Sequence, residues 1–541
     1  MKPKKIISVL LLMLVAAVIV SACSGGATRP SGSNETPGTT ENNAETPKFD
    51  KKYRITTAAI EINEGADFES DKMLKYFNEK FNVEHELIPI ARNQRKEVVN
   101  LWVSAGDLPD MCWFDMVYVD YKNFSEQGLI KALPDDLEER FPNLAKVLEK
   151  SGVGKEFRSR DPEGKLYAIP KVIYFDAPTE KVIAHTSVYY RKDWADKVGI
   201  KMDKLASTEE VAQLARAFIQ QDPGGNGPGK TIGIAADNTR LTQMLVEPFN
   251  PCVTDFFRYE GKYIWGPAAP GTLDGLKVWQ NFYREGLLHP DFYVMKKNDP
   301  VDLFVSGKAG ILMHDGDGKV IQAVLHDFKA QHPDLDATEA IGMFAMKGPD
   351  GKHHVMESVN YWCGVIFNPN IEDDKLDRIL HIMDYVATEE AQNIIRLGFE
   401  GIDWKREGDT IVSLRPKDES GNMILLKETY PSQPYWGFLV LTGDDFSLRD
   451  PNIPKAARDM AIETFKAKEK DGNIVPLDFD LRFFSGPNYN KKGTLGVVYD
   501  ELAGLVLKEG DIETTWKEWL ESKADIINAI TEELNGALLN K

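Results

Sequence analysis

Four stretches of this chain set aromatic rings beside polar side chains. Trp113 stands two residues before Asp115, with Tyr118 just beyond. Tyr189, Tyr190 and Arg191 are consecutive, Tyr361 and Trp362 follow Asn360, and Tyr435 and Trp436 lie in PSQPYWGF. An indole or phenol face can cover the C–H face of a pyranose while a carboxylate, amide or guanidinium group takes its hydroxyls. Residues of these types at these spacings suit non-covalent capture of a sugar. The competing reading of any one ring is burial in a core, because large aromatic side chains are mostly buried. Trp265, in KYIWGP and without a polar neighbour, reads as core.

Motifs for covalent or metal chemistry are weaker. Residues 224–231, GGNGPGKT, match the phosphate-cradling pattern GxxxxGK[ST]. That loop works by following a strand and opening a helix whose N-terminus faces the phosphates. Here a helical stretch precedes it and a strand follows. Asp222 and Asn226 among glycines also look like a calcium loop, but Gly224 and Lys230 stand where oxygen ligands are wanted, and an ammonium repels Ca²⁺. HDGDG (314–318) spaces Asp315 and Asp317 alternately, yet Lys319 follows and His326 occupies the twelfth position, against an EF-hand. No metal and no cofactor is expected. The histidines form no HExxH, and there is no GxSxG. Carboxylates are plentiful enough for a glycosidase pair, but abundance is no evidence of one. No enzymatic activity is expected.

The elements that must position these residues are legible from periodicity. RITTAAI (54–60), HELIPI (85–90) and PDMCWFD (109–115) read as strands. Between them, residues 70–81 carry a helical face of Met73, Leu74, Phe77 and Phe81, and RKEVVNLWVSAG forms a helix stopped by Gly106. Strand, helix, strand, helix, strand implies a parallel α/β sheet, in which ligands sit beyond the C-terminal strand ends. Thr208 is the expected N-cap of VAQLARAFIQQ. TIGIAA, AGILMHD and YWCGVIFNP are further strands. The chain ends in helices with Trp516, Trp519 and Leu520 on one stripe.

Compartment and partners follow from the N-terminus and the charge. Lys2, Lys4 and Lys5 precede an apolar run, residues 6–20, broken only by Ser8. This has the length of a signal peptide's apolar region and falls short of the roughly 20 residues that span a bilayer. Ser21, Ala22 and Cys23 end it, and Cys23 is the expected site of a diacylglycerol thioether, whose two acyl chains anchor stably. Residues 24–48 are polar and rich in Gly, Ser, Thr, Asn and Pro, a tether with too little apolar surface to order itself. The remainder exceeds what one core usually holds, so two lobes are expected. Loss of a leader bearing three lysines takes the net charge from −19 to about −22, which argues against nucleic acid as a partner. Cys112, Cys252 and Cys363 show no CxxC spacing and read as buried small hydrophobes.

Several segments in this order, SAGDLPDMCWFD, GKLYAIPK, YYRKDWADKVGIK with STEEV, YREGLLHPDF, GKAGILMHD and ATEEAQNIIRLGFEGIDW, together with the lipobox, give the chain a family likeness. It resembles the extracellular solute-binding lipoproteins of carbohydrate ABC importers, in particular the LipO/LplA-like oligosaccharide-binding group. The resemblance implies an α/β, two-lobe periplasmic-binding-protein-like clamshell (type II) with lobes linked by crossing hinge strands. Mapped onto this chain, lobe one is 49–175 plus 346–412 and lobe two is 176–345 plus 413–541. The resemblance further implies an oligosaccharide in the interlobe cleft, delivery to ABC permease subunits, and a lipid-anchored monomer on the outer face of the bacterial cytoplasmic membrane. It places Trp113, Asp115 and Tyr118 on one cleft wall, His314 and Asp315 at a strand end facing it, and Tyr361 and Trp362 on another wall. Tyr190, Arg191 and Trp436 complete the expected ligand set. With Arg191 the one good arginine candidate in it, a neutral or weakly acidic oligosaccharide is expected. Binding of peptides or quaternary amines, which an aromatic box also suits, and a surface-tethered glycoside hydrolase are the alternatives.

Overall fold

A computed structural model describes residues 49–539, except 61, 63–64, 92–93, 116–117, 173–185, 297, 358–360, 409, 418–422, 441–452 and 471; of Tyr118 and Trp362 it describes the backbone alone. The expected leader, Cys23 and tether lie outside the described residues.

The first helix shows how the sequence folds locally. Asp71 accepts from the Leu74 backbone N–H and starts the helix Lys72–Phe81, which buries Met73, Leu74, Phe77 and Phe81 on one face. Gly106, at φ 74°, ends the helix Arg95–Ala105 in a conformation that favours glycine. One residue needs correction. The cap of the helix Thr208–Gln221 is Ser207, whose hydroxyl accepts from Glu210 N–H while the Glu210 carboxylate returns to the Ser207 N–H. A reciprocal capping box outcompetes a single hydroxyl one residue later.

Two five-stranded sheets organise the chain. The first, in order β2-β1-β3-β13-β4, comprises β1 (Tyr53–Ile60), β2 (Val83–Ile90), β3 (Met111–Phe114), β4 (Ala168–Val172) and β13 (Tyr361–Phe367). β1 is parallel to β2 and β3, as the alternation of elements implies, but β13 runs antiparallel to both β3 and β4. The first sheet is therefore mixed, because β13 enters it from the far lobe. The second sheet, in order β6-β11-β5-β10-β7, holds β5 (Thr186–Arg191), β6 (Leu205–Ala206), β7 (Ile232–Ala235), β10 (Ala309–Asp315) and β11 (Ile341–Met346). β5 is antiparallel to both its neighbours. Three two-stranded ribbons complete the strands: β8 (Phe256–Tyr259) with β9 (Lys262–Trp265), β12 (His353–Met356) with β16 (Gly472–Val475), and β14 (Trp404–Glu407) with β15 (Thr410–Ser413).

Each sheet has its own apolar core. Ile55, Phe77, Phe81, Cys112, Val365 and Ile366 pack in the first. The second sheet is covered on both faces, with alternate residues going to alternate sides: Val188, Tyr190, Ile311 and Met313 to one, Tyr189 and Leu312 to the other. The C-terminal helices Ile512–Ser522 and Ala524–Leu538 add Trp516, Trp519, Ile530 and Leu534 to the second core, and Trp265 is buried there against Trp519. Leu426, Tyr430, Tyr435, Trp436 and Leu439 pack in the first core, whereas the lobe assignment read from sequence gave everything after 412 to the second. Cys112, Cys252 and Cys363 are buried thiols, and none is in a disulfide among the described residues. No described helix is long and apolar enough to cross a membrane.

Candidate functional site

Strand register fixes where the two lobes face each other. β13 begins at Tyr361, opposite Val172 at the end of β4 and just beyond the level of Phe114 at the end of β3. In the second sheet Asp315, the end of β10, pairs with Thr186, the start of β5. The chain leaves the first sheet at Val172 and enters the second at Thr186; it leaves β11 at Met346 and passes through β12 to re-enter the first at Tyr361. Both passages run from one strand edge to the other, so these edges face across the gap, and the parallel ribbon of β12 and β16 crosses between them.

The ten residues expected from sequence fall into three groups. Trp113, Asp115 and Tyr361 lie at the facing edge of the first sheet, with the backbone of Tyr118 and Trp362. Asp115 is ion-paired with Arg95. Trp113 is buried edge-on against Phe438, with the Lys171 ammonium 5.1 Å from its ring and 3.4 Å from that of Phe438. His314 and Asp315 lie at the facing edge of the second sheet. Asp315 accepts from Arg240 at 2.5 Å, and Arg240 also donates to Gln243 at 2.8 Å. Tyr190, Arg191 and Trp436 are elsewhere. Because β5 is antiparallel to β10, its C-terminal end points away from the gap. There Tyr190 covers Gly342, and Arg191 is held by Asp193 at 2.6 and 2.7 Å beneath the rings of Trp194 and Phe328. Trp436 is fully buried in the first core, stacked on Phe77 at 4.0 Å.

The open space between the lobes is a cleft of about 1420 Å³. One wall comes from the first lobe, with Lys96, Asp120, Glu156 and Arg160. The other comes from the β8–β9 hairpin and the stretch around Phe484 and Tyr489. Met356, Glu357 and Val475 of the crossing ribbon line it at the back. None of the ten expected residues is among its described lining. Tyr361 is tied to the lining through Arg482: its ring is buried, and its hydroxyl is hydrogen-bonded by that residue. Burial raises the Tyr361 phenol, and the guanidinium partly offsets this.

Two segments that sequence reasoning passed over supply most of the second wall. FFRYEGKYIW folds as a hairpin turning at Glu260 and Gly261, both with positive φ, which the tight two-residue turn requires. The segment DFDLRFF (478–484) begins with Asp478, which caps the helix Phe479–Arg482 and accepts from the Tyr263 hydroxyl at 2.5 Å. Burial, then that carboxylate, pushes the Tyr263 phenol well up. The available signals were the EG turn and the alternation of acid, ring and arginine in DFDLRFF.

The glycine-rich loop after Gln221 closes on itself. Asp222 accepts from the backbone of Asn226 and Gly227 at 3.0 and 2.8 Å and from the Thr231 hydroxyl at 2.5 Å; these donors hold its carboxyl below the usual range. Gly224 lies flat under Trp194, where a Cβ would collide with the indole. The carboxylate is thus engaged by protein donors, and no group of three or more His, Cys, Asp or Glu with metal-holding geometry occurs among the described residues.

No family model matches the chain. A polygalacturonan/rhamnogalacturonan-binding protein, YtcQ, of Bacillus subtilis (strain 168) is 24% identical over 367 residues, 66% of this chain and 68% of that one. Lipoprotein LipO of the same strain is 24% identical over 419 residues, 75% of each chain. The S. pneumoniae ABC-transporter substrate-binding protein FusA, solved in complex with kestose, matches in fold with a TM-score of 0.59 over 91% of this chain and 100% of its own, at 18% identity. In sequence the chain is similar to these binding proteins and lipoproteins, and it has the two-lobed α/β fold of an ABC-transporter substrate-binding protein.

Proposed function

We propose that this protein is a surface-held receptor that takes an oligosaccharide into the interlobe cleft and passes it to the permease of an ABC importer. The observation that carries the reading is the cleft itself, about 1420 Å³ with walls on separate lobes. That exceeds the roughly 300–1,000 Å³ of a small-molecule site and leaves room for several sugar rings. The half-buried rings of Phe257, Phe479 and Phe484 offer apolar faces to pyranoses, and the polar groups between them take hydroxyls. The names of YtcQ and FusA, a polygalacturonan/rhamnogalacturonan binder and a partner of kestose, support a glycan as the ligand class.

Closure supplies the mechanism. A ligand bound to one wall meets the other only when the lobes come together, so it stabilises the closed form by that difference in contacts. Asp115, Tyr118, His314, Asp315 and Trp362, at the facing sheet edges, are the groups that closure brings to the ligand, while the buried rings of Trp113 and Tyr361 back them from the first core. No bond to the sugar is made or broken. The anchor is a lipid on Cys23, with residues 24–48 as the leash and the protein monomeric.

The test is thermal unfolding of the purified chain against a panel of oligosaccharides, peptides and quaternary amines. A ligand specific to the folded state adds about 2.7 kcal/mol at a hundredfold excess over Kd. One glycan that raises the midpoint and returns intact is the expected result. A glycan returned cleaved, or a response to peptides or amines alone, overturns it. Cys23→Ser should release the protein from cells, and retention at the membrane would refute the anchor.

A further inference from the structure

The charges lining the cleft are not evenly satisfied. Six carboxylates line it, and each has a hydrogen-bond donor or an ion-pair partner on the protein. Asp120 faces Lys96 at 4.0 Å, and Asp255 holds Lys492 at 2.9 Å and the Phe256 N–H at 2.8 Å. Glu156 and Asp480 share Arg160, and Glu357 accepts from the Leu477 N–H at 2.8 Å. Asp478 accepts from Tyr263 and from the Leu481 N–H at 3.0 Å. Five cations line the same space, and three of them, Lys96, Arg160 and Lys492, are consumed in those pairs. Arg258 and Arg482 remain. Both side chains are exposed, and neither meets a carboxylate among the described residues. Arg482 gives a hydrogen bond to the Tyr361 phenol, but a guanidinium carries five N–H donors in a planar fork, so most of its capacity is left.

The two arginines belong to one patch. Arg258 pairs in register with Tyr263, whose hydroxyl reaches Asp478; four residues on, the same short helix ends at Arg482. From this we infer that the cleft selects oligosaccharides bearing carboxylates, sugar acids, with Arg258 and Arg482 as the residues that read them. This rests on the oligosaccharide-receptor reading above and names the substrate class of the same site. Free guanidinium forks match carboxylates in bidentate geometry and leave a neutral sugar's hydroxyls with a weaker, single bond. The protein's net charge of −19 does not oppose this, because charges beyond about 8 Å are largely screened at physiological salt. The neutral or weakly acidic ligand expected from sequence rested on Arg191 as the one arginine candidate, which the fold commits to Asp193.

The test is titration calorimetry on the full chain with trigalacturonate and with the corresponding neutral galactose trisaccharide. The acid should bind at least about tenfold more tightly, by the scale of a charge-assisted bond, and lose affinity as salt is raised. Arg258→Gln and Arg482→Gln should each weaken the acid about tenfold and the neutral sugar by much less, so that the acid-to-neutral ratio falls. Both side chains are exposed, so an unaltered melting midpoint shows that the variants fold. Equal or better binding of the neutral sugar, or an acid-to-neutral ratio untouched in the double variant, overturns the inference while leaving the receptor reading in place. Failure of every glycan in the panel overturns both.

Discussion

Replacing Trp436 separates a core residue from a sugar platform. The indole is fully buried, stacked on Phe77 with centroids 4.0 Å apart and planes at 22°. Tyr435 lies against it at 4.7 Å and His85 edge-on at 5.1 Å, and its N–H donates to the buried Ser432 hydroxyl at 3.1 Å. Trp436→Ala removes the largest side chain of that cluster, and truncations of this kind cost about 3–5 kcal/mol. The lost stack adds about 0.5–1.5 kcal/mol, and an unpaired Ser432 hydroxyl works in the same direction. A loss of about 5 kcal/mol is therefore expected for Ala. Trp436→Phe keeps a stackable ring and forfeits the hydrogen bond and part of the contact area, for about 2 kcal/mol. The assay is urea denaturation followed by far-UV circular dichroism, paired with calorimetry of the best ligand on Trp436→Phe at a temperature where it is folded. A lower midpoint with unchanged affinity is expected. An unchanged midpoint with weakened sugar binding would falsify the core assignment and restore the platform reading.

Three further outcomes follow from buried ionisable groups. His85 is buried with no partner at Nε2 among the described residues, and burial depresses its folded pKa from 6.5 to about 3. Between those values the unfolded chain binds more protons, so stability should rise as pH climbs from about 3 to 6.5. Glu247 acts in the opposite sense. Burial raises it from 4.5 to about 7, against a smaller effect of Arg240, so it should lower stability as pH rises through that window. Urea midpoints against pH should flatten on the acid side in His85→Gln and at near-neutral pH in Glu247→Gln; unaltered slopes would count against both. Arg240 and Asp315 form a pair whose side chains are 10% and 11% exposed. Arg240→Met should cost about 3–5 kcal/mol by taking its cationic partner from a buried carboxylate, whereas the joint replacement with Asp315→Asn should recover much of it. Additive losses in that double-mutant cycle would sever the coupling.

What the sequence disclosed depended on the range of the interaction. The apolar face of Phe77 and Phe81, the stop at Gly106 and the strand at Met111–Phe114 are local, set by periodicity and capping, and the structure carries all three. Strand direction is not local. TSVYYR reads alike whichever way it pairs, and only its antiparallel registers with β10 and β11 carry Arg191 away from the gap. Ring composition is likewise blind to burial: Trp436 and Tyr361 look the same in the sequence as a platform would, and both are inside. The cleft lining joins residues as distant as Arg160, Arg258 and Arg482. No spacing rule links them, because the crossing strands bring them together.

The position of β13 has a consequence for the order in which the chain takes shape. The first sheet places β13 between β3 and β4, so during synthesis its two halves wait for residues 361–367 before they can join. Every strand of the second sheet lies within 186–346, so that sheet can pair completely while the first is still split. The earliest part of the globular chain is thus among the last to close, and its unpaired edges stay open to solvent, to chaperones or to aggregation for most of the chain's elongation.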